Sequence, residues 1–339
     1  MKAIGLTQYL PIENPKSLED IEISKPSPKG HNILVSIKSI SINPIDTKVR
    51  AAKDTVEDTP KILGWDASGI VDEIGEEVTL FKVGDEVYYA GDITKPGAYS
   101  EFQLVDERIV GNKPTSLSFT QAAALPLTTI TAYEALFERL HIIREDSKNN
   151  SKKTILIVGG AGGVGSICIQ LAKVANLIVI ATASRPETIS WVKDLGADYV
   201  IDHCKELSQQ INSLGFEFTD YIAIFNDTDE HWEDVTNIIR PQGKIVSIVE
   251  NKKPLNQAIM KIKAATFVWE FMFTRSMFQT PDMIEQHKLL NWVAHEIDSG
   301  KIHSTLNKIF SPINAENIRQ AHALIETGQT KGKIVLEKW

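Results

Sequence analysis

The sequence predicts an α/β protein in two parts, a β-rich first segment and a doubly wound parallel sheet, and three observations carry that prediction. From Thr154 to about Phe273, continuous apolar runs alternate with helical segments. The runs are 155–158, 177–181, 199–201, 221–225, 245–249 and 267–271. Strands apolar on both faces are what a parallel sheet covered by helices requires. Residues 1–125 have a different texture: short alternating runs broken by Gly, Pro, Asn and Asp, which reads as antiparallel strands and turns. The third observation is the glycine-rich segment from Gly159 to Gly165, directly after the first apolar run.

Taken in order, Asn32 to Lys38 and Asp85 to Tyr89 are strands of the first part. Ser118-Phe119-Thr120-Gln121 is a capping-box pattern, and the Ala-rich stretch behind it starts a helix that stops at Pro126. Thr131 to Glu138 is a second helical stretch, followed by a solvated polar loop from Lys148 to Lys153. After the sheet, Thr280-Pro281 opens a helix that runs to Gly300. Asn314 caps another helix ending near Gly328, and Gly332 to Leu336 closes the chain as a strand.

Composition narrows the function. At 339 residues two domains are expected, on a prior of about 100–200 residues each. A formal net charge of -8 argues against a nucleic-acid partner, which would need a basic face. No apolar run approaches the ~18 residues that span a bilayer, and no signal-peptide pattern opens the chain, so no membrane partner and a cytoplasmic location are expected. The two cysteines, Cys168 and Cys204, are too few for a disulfide framework or a four-cysteine zinc cluster.

Gly160, Gly162 and Gly165 satisfy G-x-G-x-x-G between a strand and the helical run from Ile167 to Lys173. The first two glycines allow a tight turn and close approach of backbone to a pyrophosphate, which then sits at the helix N-terminus; the third lets helix and strand pack. Selectivity rests on the end of the second strand. The acid expected there for NAD is Ser184, followed by Arg185, and a hydroxyl with a guanidinium suits a 2′-phosphate, which favours NADPH. The alternative is that Arg185 is an ordinary loop charge and Glu187 serves NAD.

These features, with Asn43-Pro44-Ile45-Asp46, Gly64-Trp65-Asp66-Ala67-Ser68-Gly69, Gly97-Ala98-Tyr99-Ser100-Glu101-Phe102 and Leu195-Gly196-Ala197-Asp198, resemble the medium-chain dehydrogenase/reductase superfamily. Within it the chain is most similar to the zeta-crystallin-like quinone oxidoreductases, whose relatives are often labelled zinc-type alcohol dehydrogenase-like. The resemblance implies a GroES-like catalytic domain over 1–125 and 274–339 and a Rossmann NADP(H)-binding domain over 126–273. It places Asn43 and Thr131 by the nicotinamide. His203 stands where that branch sets a side chain, usually Tyr, against the 2′-phosphate, and Lys333 resembles a tail lysine near the cofactor, though a solvated strand-end lysine is equally compatible. The full cofactor set is Thr128, Thr131, Gly160, Gly162, Gly163, Val164, Gly165, Ser184, Arg185, His203, Asn226 and Lys333.

In zinc-dependent members the catalytic ligands would align near Pro44, at Trp65 and near Leu127, and none of these side chains can coordinate zinc. Asp66 aligns with a carboxylate beside the zinc enzymes' histidine. No metal is therefore expected. Hydride delivery to an electron-poor acceptor needs no Lewis acid, so the expected activity is NADPH-dependent reduction of quinones or α,β-unsaturated carbonyls. Asn43, Asp46, Tyr89 and Thr131 are candidate donors; Asp46 is equally a turn-capping carboxylate, and Trp65 is either a pocket wall or core. A zinc alcohol dehydrogenase with unusual ligands and a non-catalytic NADPH-binding protein are the alternatives. The aromatic last strand of the sheet is a hydrophobic edge that predicts a homodimer.

Overall fold

The computed structural model describes all 339 residues, and the chain divides into two compact units. One comprises Met1–Ile130 with Phe273–Trp339, the other Thr131–Met272. The protein is α/β, with a β-rich unit and a doubly wound unit built on a parallel sheet.

In the first unit the long strand Asn32–Ile42 is the spine. It pairs antiparallel with Ala67–Ile74, with Phe102–Asp106 and with the C-terminal strand Lys333–Glu337. Its buried Ile33, Leu34, Val35, Ile37 and Ile40 place it in the core, as the apolar run requires. The C-terminal strand in turn pairs parallel with Leu306–Phe310. A separate three-stranded sheet joins Glu19–Glu22, Lys2–Tyr9 and Lys53–Ile62.

The second unit holds six parallel strands in the spatial order Tyr199–Ile201, Ile178–Thr182, Thr154–Val158, Thr219–Ile224, Ile239–Ser247 and Thr266–Trp269. Central residues Leu156, Val158, Ile180, Ile222, Ile224 and Ile245 form one apolar cluster with Trp232 and Val235. The reversal of strand order beside Thr154–Val158 puts its carboxyl end, where Gly159 begins, at a topological switch point.

Four local expectations are corrected. The helix expected from Thr280 begins at Ile284 and ends at Asp298, because Pro281 sits in a turn closed by Met283 N–H donating to Thr280 C=O at 3.0 Å. The stretch from Lys148 is not all loop: Ser147–Asn150 is a short helix, and buried Asn150 donates from Nδ2 to the carbonyls of Ile143 and Ala175 at 2.9 and 3.0 Å. Pro126 starts the helix Pro126–Tyr133 rather than only ending the one before it, which continues as a π-helical turn, Glu134–Arg139. The last sheet strand is Thr266–Trp269 and releases the chain at Glu270. The Ser118/Gln121 capping box forms as expected, with reciprocal bonds of 3.0 and 3.2 Å. No helix is long and apolar enough to cross a membrane.

Candidate active site

Register brings three distant residues together in the first unit. Asn43 ends the spine strand and caps the helix Pro44–Arg50, where Pro44 supplies a preset φ at the first turn. Ile334 pairs with Ile42, so Lys333 falls beside Asn43. Asp66 precedes the neighbouring strand, its carbonyl accepting Ser41 N–H at 3.0 Å. The Lys333 ammonium, 3% exposed, lies 3.0 Å from Asp66 Oδ2, donates to the Ile42 carbonyl at 3.0 Å and also bonds Asn43 Oδ1. Asn43 Nδ2 reaches the same Asp66 oxygen at 2.8 Å, and Leu127 N–H takes Oδ1 at 2.8 Å. Burial pushes the Asp66 carboxyl up, opposed by the Lys333 charge and by these donors. The reading of Lys333 as a solvated strand-end lysine is overturned: with every ammonium proton accepted inside the protein, it is a structural cation of the site.

Asp46 is fully buried one turn into the helix. Its Oδ2 accepts Asn43 N–H at 2.7 Å, which is the capping role, and Tyr99 O–H at 3.2 Å; Oδ1 has no partner. Desolvation pushes its carboxyl up to about 7, against the Asn43 amide and the Lys333 charge. Tyr99 owes its position to Gly64. That glycine has φ +90°, and a Cβ there would lie 2.2 Å from Tyr99 Cδ1. Next along, Trp65 is buried edge-on to Phe273 with ring centroids 6.1 Å apart, and its Nε1 donates to the Asp92 carbonyl at 3.2 Å. Tyr89, opposite Ala67 in the sheet, is buried with its hydroxyl unpartnered. Thr128 and Thr131 lie three apart on the helix Pro126–Tyr133, both buried; the Thr128 hydroxyl donates back to the Leu125 carbonyl at 3.0 Å.

Of the residues at or beside the positions where zinc ligands would align, Asn43, next to Pro44, and Leu127 are both bonded to Asp66. They do not fit zinc. An amide, an indole and an aliphatic chain offer no thiolate or imidazole, both Asp66 oxygens already hold donors, and no group of three or more His, Cys, Asp or Glu residues is placed to hold a metal ion. His287 is engaged elsewhere, with its ring nitrogens on the Val110 carbonyl and the Asn291 side chain at 2.6 and 2.9 Å.

In the second unit the glycine cradle fits a pyrophosphate. Gly162 caps the twelve-residue helix Gly163–Val174, so the free amides of its first turn face the strand end. A Cβ at Gly165 would lie 2.2 Å from the Gly159 carbonyl oxygen, which is the close packing expected of the third motif glycine. The positive φ of +86° falls on Gly159, one residue before the motif, and Thr182 Oγ1 accepts its N–H at 2.9 Å. At the second strand Ser184 is exposed, and Arg185, which opens the helix Pro186–Asp194, lies 3.3 Å from Glu187. His203 is half-buried with Nδ1 sealed and unpartnered, its ring edge-on to His231 at 6.4 Å; His231 accepts from Asn226 at 3.1 Å. Asn226, exposed in the bend after the strand Thr219–Ile224, lies beside Gly159 and His231.

Sequence reasoning missed Asp66 as the hub of the cluster, and with it Tyr99, His322 and Arg50. Tyr99 OH lies 2.9 Å from His322 Nε2, and Arg50 Nε donates to His322 Nδ1 at 3.3 Å. Tyr99 was signalled by its place in the Gly97–Phe102 motif and by Gly64, whose need for φ > 0 marks a close approach; His322 sits in an ordinary amphipathic helix and carried no signal.

Comparisons with known proteins agree with this architecture. Residues 29–115 match the family model of the alcohol dehydrogenase GroES-like domain, and residues 195–336 that of the zinc-binding dehydrogenases. The chain is 40% identical over 336 residues to a zinc-type alcohol dehydrogenase-like protein of Staphylococcus epidermidis, covering 99% of both. It is 31% identical to a 2-methylene-furan-3-one reductase of Solanum lycopersicum, covering 99% of this chain and 79% of that one. Among solved structures, a putative zinc-dependent alcohol dehydrogenase of Rhizobium etli superposes with TM-score 0.95 at 50% identity, covering 100% and 98% of the two chains. An Escherichia coli quinone oxidoreductase complexed with NADPH shares the fold, with TM-score 0.81 at 23% identity over 99% and 100%. The chain is an oxidoreductase that belongs to the medium-chain dehydrogenase/reductase superfamily, among its zinc-type alcohol dehydrogenase-like members.

Proposed function

We propose that the protein is a cytoplasmic, NADPH-dependent reductase of quinones or α,β-unsaturated carbonyls that works without zinc, with 1–125 and 274–339 as its catalytic domain and 126–273 as its cofactor domain. The observation that carries the reading is the commitment of Asp66: Lys333, Asn43 and the Leu127 amide use both of its oxygens, in a place where the other side chains are Trp65 and Leu127. Such a site gives no Lewis acid to polarise an alcohol, and it suits an acceptor that is already electron-poor. The names of relatives support the same chemistry, since one reduces a methylene-furanone and a structural neighbour is a quinone oxidoreductase bound to NADPH.

Bound NADPH supplies the hydride. The chain's own residues then have three tasks. Gly160, Gly162, Gly163, Val164 and Gly165 present backbone amides to the pyrophosphate, while Ser184, Arg185 and His203 take the 2′-phosphate, Arg185 exchanging Glu187 for the stronger dianion. Thr128, Thr131, Asn226 and Lys333 complete the cofactor contacts. Asn43, Asp46, Trp65, Tyr89 and Thr131 shape the acceptor end, where buried Trp65 excludes water and the unpartnered Tyr89 hydroxyl is a free donor once the site opens.

NADPH oxidation with 1,4-benzoquinone and with a simple enone, in the presence and absence of a chelator, tests the reading. Turnover is expected to be unchanged by chelation, and Arg185→Ala to weaken NADPH at least about tenfold while leaving NADH nearly untouched. Loss of turnover on chelation that zinc restores would instead support a zinc enzyme with unusual ligands, and NADPH binding with no turnover a non-catalytic role. We further infer a homodimer through the edge strand Thr266–Trp269, which with the residues just after it exposes Trp269 and Phe271. Light scattering at monomer mass at high concentration would rule it out.

A further inference from the structure

The hydrogen bonds running from Arg50 to Asp46 have only one direction. An arginine Nε donates and never accepts, so His322 Nδ1, 3.3 Å away, must be the acceptor. Burial, and then the Arg50 charge, hold the His322 pKa down at about 3, so the ring is neutral and its one proton sits on Nε2. That proton points to the Tyr99 oxygen at 2.9 Å, which leaves the tyrosine's own hydrogen for Asp46 Oδ2 at 3.2 Å. The outer end is anchored as well: Arg50 Nη1 donates to the Leu10 carbonyl at 2.7 Å, and Nη2 pairs with Glu326. Arg50, Tyr99 and His322 are all buried, and the Tyr99 ring is seated on Gly64.

We propose that Tyr99, His322 and Arg50 are positioning residues of the reductase, three successive donors that fix Asp46 and, through the Asn43 amide it receives, hold the Asn43 side chain between Lys333 and Asp66. The proposal rests on the reading that Asn43 and Lys333 serve the reacting end of the site. Asn43 is the pivot. Its N–H is held by Asp46, while its Oδ1 and Nδ2 are held by Lys333 and Asp66. Without Tyr99, Asp46 Oδ2 keeps one donor instead of two, its carboxylate is less supported, and the backbone of the Asn43 cap loses its fixed partner. The charged and titratable groups facing Asp46 are Lys333 on the C-terminal strand, Asp66 before the strand Ala67–Ile74, and Tyr99 in the loop behind it. Arg50 on its own helix, and His322 and Glu326 on the helix Ala315–Glu326, stand behind Tyr99.

The test uses the full chain with Tyr99→Phe, His322→Leu and His322→Gln. In protein labelled at the aspartate carboxyl carbon, NMR titration reads Asp46 directly without cofactor. Tyr99→Phe is expected to raise the Asp46 midpoint by about one pH unit, the loss of one donor to a carboxylate. His322→Leu shifts it less, in the same direction, and His322→Gln, whose amide keeps a donor at the place of Nε2, leaves it where it was. In NADPH-dependent reduction, Tyr99→Phe and His322→Leu are expected to cut kcat about tenfold with KM for NADPH unchanged, and His322→Gln to recover most of it. An unmoved midpoint or a wild-type kcat in folded Tyr99→Phe overturns the proposal. Phenylalanine keeps the packing on Gly64, so this variant decides the matter even where His322→Leu fails to fold. Wild-type protein that reduces no quinone or enone would overturn the functional reading instead, a result visible before any variant is made.

Discussion

Each unit of the chain buries a pair of acids, and the two pairs keep different company. In the first unit Asp46 and Asp66 share their surroundings with a buried ammonium, Lys333, and with donors aimed at them from Asn43, Leu127 and Tyr99. In the second, Glu270 follows the strand Thr266–Trp269 and meets Glu134 at the start of the π-helical turn. Arg139, 30% exposed, is a cation beside them; its Nε lies 2.8 Å from Glu270 Oε2, and an Nη lies 3.7 Å from Glu134. Burial, followed by the charge of Glu134 beside it, pushes Glu270 up to about 9. Asp66 is paired with a cation buried at the same depth, whereas the Arg139 beside Glu270 is still wetted by solvent.

The comparison breaks most severely at Lys333. Replacing it with Met leaves Asp66 as a buried charge without its counterion, a change that costs about 3–5 kcal/mol. Urea unfolding is expected to show that loss, and the double variant Asp66→Asn with Lys333→Met to recover part of it, since a neutral pair needs no compensation. A single Lys333→Met variant as stable as wild type would mean that Asp66 already carries a proton, and the contrast between the units would collapse.

A smaller effect is expected at Gly64. Gly64→Ala forces a residue with a Cβ into φ +90° and drives that atom into the Tyr99 ring, for a loss of about 2–4 kcal/mol. It also sharpens the comparison, because a displaced Tyr99 no longer donates to Asp46. The Asp46 midpoint should rise as it does in Tyr99→Phe, while the titration of Glu270 stays where it was.

What the sequence could reveal divides along the same line. The parallel sheet was legible because continuous apolar runs and a glycine motif are local patterns, and the cradle glycines fall where the spacing put them. Asn43 and Lys333 were legible through resemblance alone. The cluster that joins them was not, because its members lie up to 290 positions apart and meet only through the antiparallel register of Lys333–Glu337 on Asn32–Ile42. Trp65 was read as evidence against a metal, and that reading did not depend on contacts; the engagement of its neighbour Asp66 did. Glu134 and Glu270 carried no signal at all. A glutamate in a helix and another after an apolar run look like solvated charges until the strand end and the π-helical turn are brought together.

The smallest effect separates the two pairs by pH. Glu270 has an ordinary value of 4.5 and a folded one of about 9, so its contribution to stability is fully present below 4.5 and is lost as pH rises to 9. Asp46 behaves alike over a narrower window, from 3.8 to about 7. Between about pH 8 and 9 the aspartate has largely finished titrating, while Glu270 still loses stability with each step upward. Glu270→Gln, which keeps a neutral group of the same shape, should therefore flatten the decline of melting temperature between about pH 8 and 9, and Asp46→Asn should have little effect there. If Glu270→Gln instead tracks wild type across that interval, Arg139 keeps Glu270 ionised despite its exposure, and depth of the cation is not what distinguishes the two units.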